Sequence, residues 1–123
     1  MYGVGALRSA ARGDRLLWTL HRAVLSGGIV PMVPVGAVAE AFRTEGRVDR
    51  LEAFLDGTLV EPMDGEKARR IGELAARAGS TDLVAVSTVE LASRLGCAVV
   101  SSRQTVLKPV AALLGFDLVL HPV

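Results

Sequence analysis

Apolar runs of strand length alternate with segments of helical periodicity along this chain. Helical spacing of apolar residues, bounded by capping residues and glycines, predicts helices at 6–11, 14–26, 35–43, 48–55, 64–78 and 81–95. Short apolar runs predict strands at 29–33, 58–61, 97–101 and 116–120, after a very short one at the start. Strands separated by helices form parallel sheets covered on both faces. The pattern therefore predicts an α/β fold, a three-layer α/β/α sandwich with a central parallel sheet.

In a sheet of this kind, ligands bind beyond the carboxyl ends of the strands. The predicted order of strands and helices places four segments there, which are 3–5, 34–40, 80–85 and 101–103. We expect the functional side chains in these segments.

Length and charge narrow the classes of function. The 123 residues leave room for one domain, spanning 1–123. A net charge of +1 is too small to drive sequence-independent binding to nucleic acid.

Cys97 is the single cysteine, so an internal disulfide is excluded and a cytoplasmic location fits. No apolar stretch suits a signal peptide or a membrane span, and a mean hydropathy of +0.40 favours an oligomer.

The sequence lacks the common catalytic motifs. Gly3 and Gly5 are not followed by the third glycine of a dinucleotide fingerprint, and there is no P-loop and no Gly-x-Ser-x-Gly motif. One cysteine and two histidines far apart in the chain do not form a zinc site. His21 lies among charged residues and is expected at the surface.

Two acidic residues remain as candidates for chemistry. Glu40 follows the strand predicted at 29–33, and Asp82 begins the most apolar helix. Carboxylates grouped at strand ends bind Mg²⁺ or Mn²⁺ for phosphodiester cleavage. A structural role is equally open, because Asp82 suits a helix N-terminus and Glu40 can pair with Arg43 or another nearby arginine. Spacing alone leaves both interpretations standing.

Several segments together resemble the VapC-type PIN domains, small metal-dependent ribonucleases of bacterial toxin-antitoxin systems. The resemblance covers nearly the whole chain and is carried by Trp18 and by YGVGAL at 2–7, RGDR at 12–15, VPV at 33–35, AEAFR at 39–43, AGSTD at 78–82, AVVSS at 98–102 and AALLG at 111–115. It implies the same parallel α/β/α sandwich.

The family implied by this resemblance uses four acidic or amide metal ligands, and the chain departs from that set. The first position is Gly3, the second is kept as Glu40, the third falls on Ala85 and the fourth on Arg103. Asp82 lies one helical turn before Ala85 and points to the same region without replacing the missing ligand.

These departures imply a catalytically degenerate domain with no metal cofactor that acts by binding RNA or protein. A homodimer, an antitoxin-like protein and RNA are the expected partners, and no membrane is expected to take part. The alternative is an endoribonuclease dependent on Mg²⁺ or Mn²⁺, with a rearranged site on Glu40, Asp82 and backbone or water ligands. Displaced acids such as Glu45 or Glu90 are candidates to replace the lost ligands. In the degenerate case, Arg103 is expected to form an ion pair with Glu40 or Asp82, because like charges in a cleft need a compensating cation.

Overall fold

The computed structural model describes residues 1–102 and 104–121, and the side chains at 104–106 and 120 are left out of the description. Within these residues the chain is mostly helical. The helices are α1 (Val4–Ala11), α2 (Arg15–Ser26), α3 (Val35–Thr44), α4 (Val48–Leu55), α5 (Gly65–Ala78), α6 (Leu83–Leu95) and α7 (Gln104–Leu113). The strands are β1 (Met32–Pro34), β2 (Leu59–Glu61), β3 (Val99–Val100) and β4 (Leu120–His121).

The predicted three-layer α/β/α sandwich with a central parallel sheet is wrong, and so is the same fold implied by the family resemblance. The described strands are two or three residues long and form two parallel pairs, β1 with β2 and β3 with β4. The apolar runs are longer than the segments that pair. Ile29 and Val30, for example, are 60% and 59% exposed and precede β1. An apolar run predicts burial, whereas a strand also requires a backbone partner, which the sequence pattern does not reveal.

Helices α1–α6 agree closely with the six predicted ones, because several of their ends carry local signals. Asp14, Asp64 and Asp82 each accept a hydrogen bond from the backbone N–H three residues later, at α2, α5 and α6 respectively. Gly79 ends α5 in the left-handed region at φ 63°, which favours glycine. Local capping therefore explains why the helix boundaries could be predicted.

Residues 1–3 connect the two strand pairs through the backbone. The Tyr2 N–H donates to the Met32 carbonyl of β1 at 2.9 Å, and Tyr2 forms a parallel bridge with Val100 of β3. The Gly3 N–H donates to the Val100 carbonyl at 3.0 Å, and the Val100 N–H donates to the Met1 carbonyl at 2.8 Å. The first residues therefore lie between β1 and β3.

The apolar core has two parts. The first is built around Leu7, Leu17 and Phe54 of α1, α2 and α4, together with Tyr2. The second packs α5, α6 and α7 against β3. Among the described helices, none combines the length and the apolar character needed to cross a bilayer.

Candidate functional site

The two predicted acids, Glu40 and Asp82, line the same open cleft. Glu40 comes from α3, and Asp82 comes from the turn before α6 together with Thr81. Leu83 and Val84 complete the lining, and the volume is about 410 Å³. The structure thus brings together the two residues that the sequence selected.

Glu40 is held by two arginines. Its Oε1 accepts from Arg8 Nη2 at 3.4 Å and also from Arg43 Nη2, and its Oε2 accepts from Arg43 Nε at 3.1 Å. Arg8 is oriented further by a hydrogen bond from its Nε to Thr44 Oγ1 at 3.2 Å. The Glu40 carboxylate raises the pKa of Arg43. The structural interpretation of Glu40, an ion pair with Arg43, is confirmed, and Arg8 adds a second cation.

Asp82 acts as the N-cap of α6. Its Oδ1 accepts from the Ala85 N–H at 3.0 Å, and its own N–H donates to Ser80 Oγ at 3.2 Å. A carboxylate in this position compensates the partial positive charge at the start of a helix. One oxygen of Asp82 is thereby engaged with backbone, as the helix-end interpretation predicted.

Gly3 occupies the first expected ligand position, and the space beside it is filled. A Cβ atom added to Gly3 would lie 2.9 Å from Ser101 Oγ and 3.0 Å from Ser101 Cβ, closer than such contacts normally come. A Cβ atom on Gly5 would lie 2.2 Å from Ser102 Oγ and 2.6 Å from the Ser102 backbone nitrogen. Because Gly3 has an ordinary extended conformation (φ −84°, ψ 176°), contact with Ser101 is what opposes a side chain here. The loop at 101–102 therefore rests directly on the start of α1.

The two acids proposed as replacements lie in other ion pairs. Glu45 pairs with Arg12 at 3.1 Å. Glu90 pairs with Arg94 at 3.0 Å and with Arg70 at 3.6 Å. Neither lines the cleft with Glu40 and Asp82.

The family resemblance implies Mg²⁺ or Mn²⁺, and the described residues fit such an ion poorly. Hard cations need several oxygen ligands and negative charge. Glu40 is already compensated by two guanidinium groups, and Ala85, which is buried, has no oxygen in its side chain. No group of three or more metal-ligating side chains occurs among the residues described. The predicted partner cation, Arg103, lies outside those residues.

His21, expected at the surface, is buried instead, with 2% of its area exposed. Its Nδ1 shares a hydrogen bond with the Tyr2 hydroxyl at 2.9 Å, and its ring packs against Phe54 with centroids 4.1 Å apart. Burial lowers the pKa of His21, opposed only in part by the Phe54 backbone. The signal in the sequence was its spacing four residues after Leu17, which places both on one face of α2.

A second concavity, which we call the apolar groove, was not predicted from the sequence. Its lining includes Leu20 and Val24 of α2, Val30 before β1, and Ala98 before β3, and Met1 also contributes. The groove has a volume of about 530 Å³, and its described lining contains no Asp, Glu, Lys or Arg side chain. A surface of this kind is typical of a binding site for another apolar group.

Comparisons of the chain with protein-family models, with curated proteins and with solved structures find no match. The resemblance to VapC-type PIN domains therefore stays a prediction from the sequence segments that carry it.

Proposed function

We propose that this chain is a relative of VapC-type PIN domains that has lost metal-dependent catalysis and acts by binding a protein partner. The observation that supports the loss of catalysis is the position of Glu40 between Arg8 and Arg43. A cation at the cleft would have to displace two guanidinium groups from the one carboxylate retained at an expected ligand position. The proposed domain works without a metal cofactor.

A protein partner is better supported than RNA. Phosphate binding requires arginine or lysine side chains that are free to contact the nucleic acid. Arg8 of α1 pairs with Glu40, and Arg12, which directly follows α1, pairs with Glu45 while most of its side chain stays exposed. These two basic residues are therefore engaged at least in part by acids of the same chain. The apolar groove offers a surface suited to a protein chain instead. A second copy in a homodimer and an antitoxin-like protein are both partners of this class, and we place the protein in the cytoplasm.

Both acids line one cleft, and this observation favours the alternative, a ribonuclease with a rearranged site. Incubating the purified protein with RNA in Mg²⁺ or Mn²⁺, with EDTA as the metal-free control, separates the two functions. We expect no metal-dependent cleavage by the wild type. Cleavage that requires the cation, is lost in Glu40→Gln and persists in Glu45→Gln would refute the proposed function. Glu45→Gln is the matched control because Glu45 also pairs with an arginine but lies outside the cleft.

RNA binding without cleavage is tested by titrating labelled RNA at increasing salt. Contacts to phosphate release counterions, so an affinity that falls steeply with salt indicates them. We expect weak binding with little change across the salt series. Tight, salt-sensitive binding would replace the protein partner with RNA.

A further inference from the structure

Helix α2 is attached to the rest of the protein by few fully buried side chains. Leu17 and His21 are the buried ones among its twelve residues, whereas α6 buries eight consecutive residues at 85–92. Trp18 is partly buried, and its indole N–H donates to the Ala10 carbonyl of α1 at 3.0 Å. Burial of apolar side chains is the main force that holds a helix against a core. Separation of α2 therefore breaks few of the contacts that stabilise the protein.

A glycine with a left-handed backbone lies on each side of α2. Gly13 precedes the N-cap Asp14 at φ 81°, and Gly28 follows the C-cap Gly27 at φ 76°. Glycine enters this region without the steric cost that other residues meet. When an element moves as a unit, a few residues at its ends absorb the backbone rotation. Both ends of α2 therefore carry a position that rotates without hindrance from a side chain of its own.

The contact of α2 with residues 1–3 depends on the protonation state of His21. Its Nδ1 shares a hydrogen bond with the Tyr2 hydroxyl at 2.9 Å, and its Nε2 is buried with no hydrogen bond of normal geometry among the described residues. A neutral imidazole has one donor and one acceptor nitrogen, whereas both nitrogens of the protonated ring are donors. Protonation would therefore place a positive charge in the core and a donor at Nε2 without a well-placed acceptor. Both changes cost free energy as long as α2 stays packed.

No described acidic side chain pairs with His21. Burial lowers its pKa, the Phe54 backbone opposes this in part, and no charged side chain contributes. Its ring contacts are Tyr2, Trp18 and Phe54, and burial raises the pKa of Tyr2 to about 12, so the Tyr2 hydroxyl is neutral in acid. The charged groups of residues 1–3, α1, α2 and α4 are exposed or lie in other contacts; they are the Met1 amino group on the Ala98 carbonyl, Arg8 with Glu40, Arg12 with Glu45, Asp14 at the N-cap of α2, Arg50 beside Gly13, and the exposed Arg15, Arg22, Asp49, Glu52 and Asp56. A proton on His21 therefore gains no compensating charge in the packed state.

We infer that α2 is an acid-released flap: protonation of His21 separates α2 from Phe54 and residues 1–3, while α5, α6, α7 and β3 stay folded. Release uncovers apolar surface on Leu17, Trp18 and Phe54, so acid exposes a surface that is closed at neutral pH. In the released helix His21 regains its ordinary pKa of about 6.5, and release therefore becomes more favourable as the pH falls below that value. This inference goes beyond the proposed protein-binding function and does not depend on it.

Trp18 is the single tryptophan of the chain and lies on α2, so the wavelength of its emission reports release of the flap. The test follows Trp18 emission and the helical circular dichroism of the intact protein through a urea series at about pH 7.5 and about pH 5.5. We expect the emission to shift at a lower urea concentration than the circular dichroism, because α2 leaves while the other helices remain. With an ordinary pKa of about 6.5, the ratio of released to packed α2 at one urea concentration should rise by up to about tenfold between these pH values.

Two histidine variants assign the pH dependence. His21→Gln removes the group that titrates on α2, so the separation between the two transitions should no longer change with pH. His121→Gln removes the other histidine, which is exposed, and should behave as the wild type does. Coincident transitions at both pH values would overturn the inference, because α2 would then leave only with the whole fold. An equal effect of pH on the wild type and on His21→Gln would overturn it as well.

The wild type alone decides the matter where His21→Gln does not fold. The chain has two histidines, and the nuclear magnetic resonance signals of their imidazole Cε1–H groups report the titration of each. The shift of Trp18 emission at a fixed urea concentration should follow the titration of His21. An emission shift that follows His121, or a His21 that titrates with its ordinary pKa in the packed protein, would overturn the inference.

Discussion

Replacing Gly5 with alanine is expected to destabilise the protein, although alanine is the better helix former. The added Cβ atom would lie 2.6 Å from the Ser102 backbone nitrogen and 2.2 Å from its Oγ. A hydroxyl can rotate away, but a backbone nitrogen moves only with its loop. Gly72, in the interior of α5, has no atom within 4 Å of the corresponding position and serves as the matched control.

The expected changes in the free energy of unfolding have opposite signs for the two substitutions. Forcing an extra carbon into a filled space costs about 1–3 kcal/mol. Alanine gains about 1 kcal/mol over glycine inside a helix, and this gain applies in full at Gly72. Gly5→Ala should therefore lose up to about 2 kcal/mol, and Gly72→Ala should gain up to about 1 kcal/mol. At about 4 °C for each kcal/mol, the midpoints separate by up to about 12 °C.

Thermal and urea unfolding followed by circular dichroism measure both differences. Combining Gly5→Ala with Ser102→Gly removes the Oγ contact but retains the backbone contact, so stability should return only in part. A Gly5→Ala protein as stable as Gly72→Ala would show that the loop at 101–102 does not rest on α1. The argument that the first ligand position is closed would then fail.

Three further outcomes are expected. Burial lowers the pKa of His21 in the folded protein, so below about pH 6.5 the unfolded chain binds more protons than the folded one. The free energy of unfolding should therefore decrease as the pH falls from about 7 to about 5. His21→Gln should flatten the dependence of stability on pH, whereas His121→Gln, at an exposed position, should keep it. Equal pH profiles of stability for the two variants would contradict the burial of His21. Burial also raises the pKa of Tyr2 to about 12, so stability should fall as the pH rises from about 10 towards 12, and Tyr2→Phe should reduce that loss in alkaline unfolding curves. Gly3→Asp, measured by RNA cleavage with Mg²⁺, should not create activity, because Ser101 fills the required space; cleavage by this variant would show that the position is open.

The helices could be predicted because their signals are local. Asp64 as an N-cap and Gly79 after the last turn lie within a few residues of the ends they determine. The strands could not be predicted with the same success, because pairing depends on segments far away in the chain. Val33 pairs with Val60, and Val99 pairs with Leu120, so no window of ten residues contains the partner that decides whether an apolar run becomes a strand.

The candidate site shows the same division between local and distant information. The pair of Glu40 with Arg43 follows from a spacing of three residues on one helix, and this was anticipated. Arg8 reaches Glu40 from 32 residues away, and Ser101 reaches Gly3 from the far end of the chain. The sequence selected two acids that line one cleft, but it contained no direct sign of the distant groups that neutralise Glu40 or fill the space at Gly3.

The contacts around Gly3 and Glu40 explain why the cleft is a poor site for a metal ion. At Gly3, Ser101 fills the space that a ligand side chain would need. Glu40 already forms ion pairs with Arg8 and Arg43, so a cation would meet a carboxylate whose charge is compensated. These two contacts come from distant parts of the chain, and they support the proposed loss of metal-dependent catalysis.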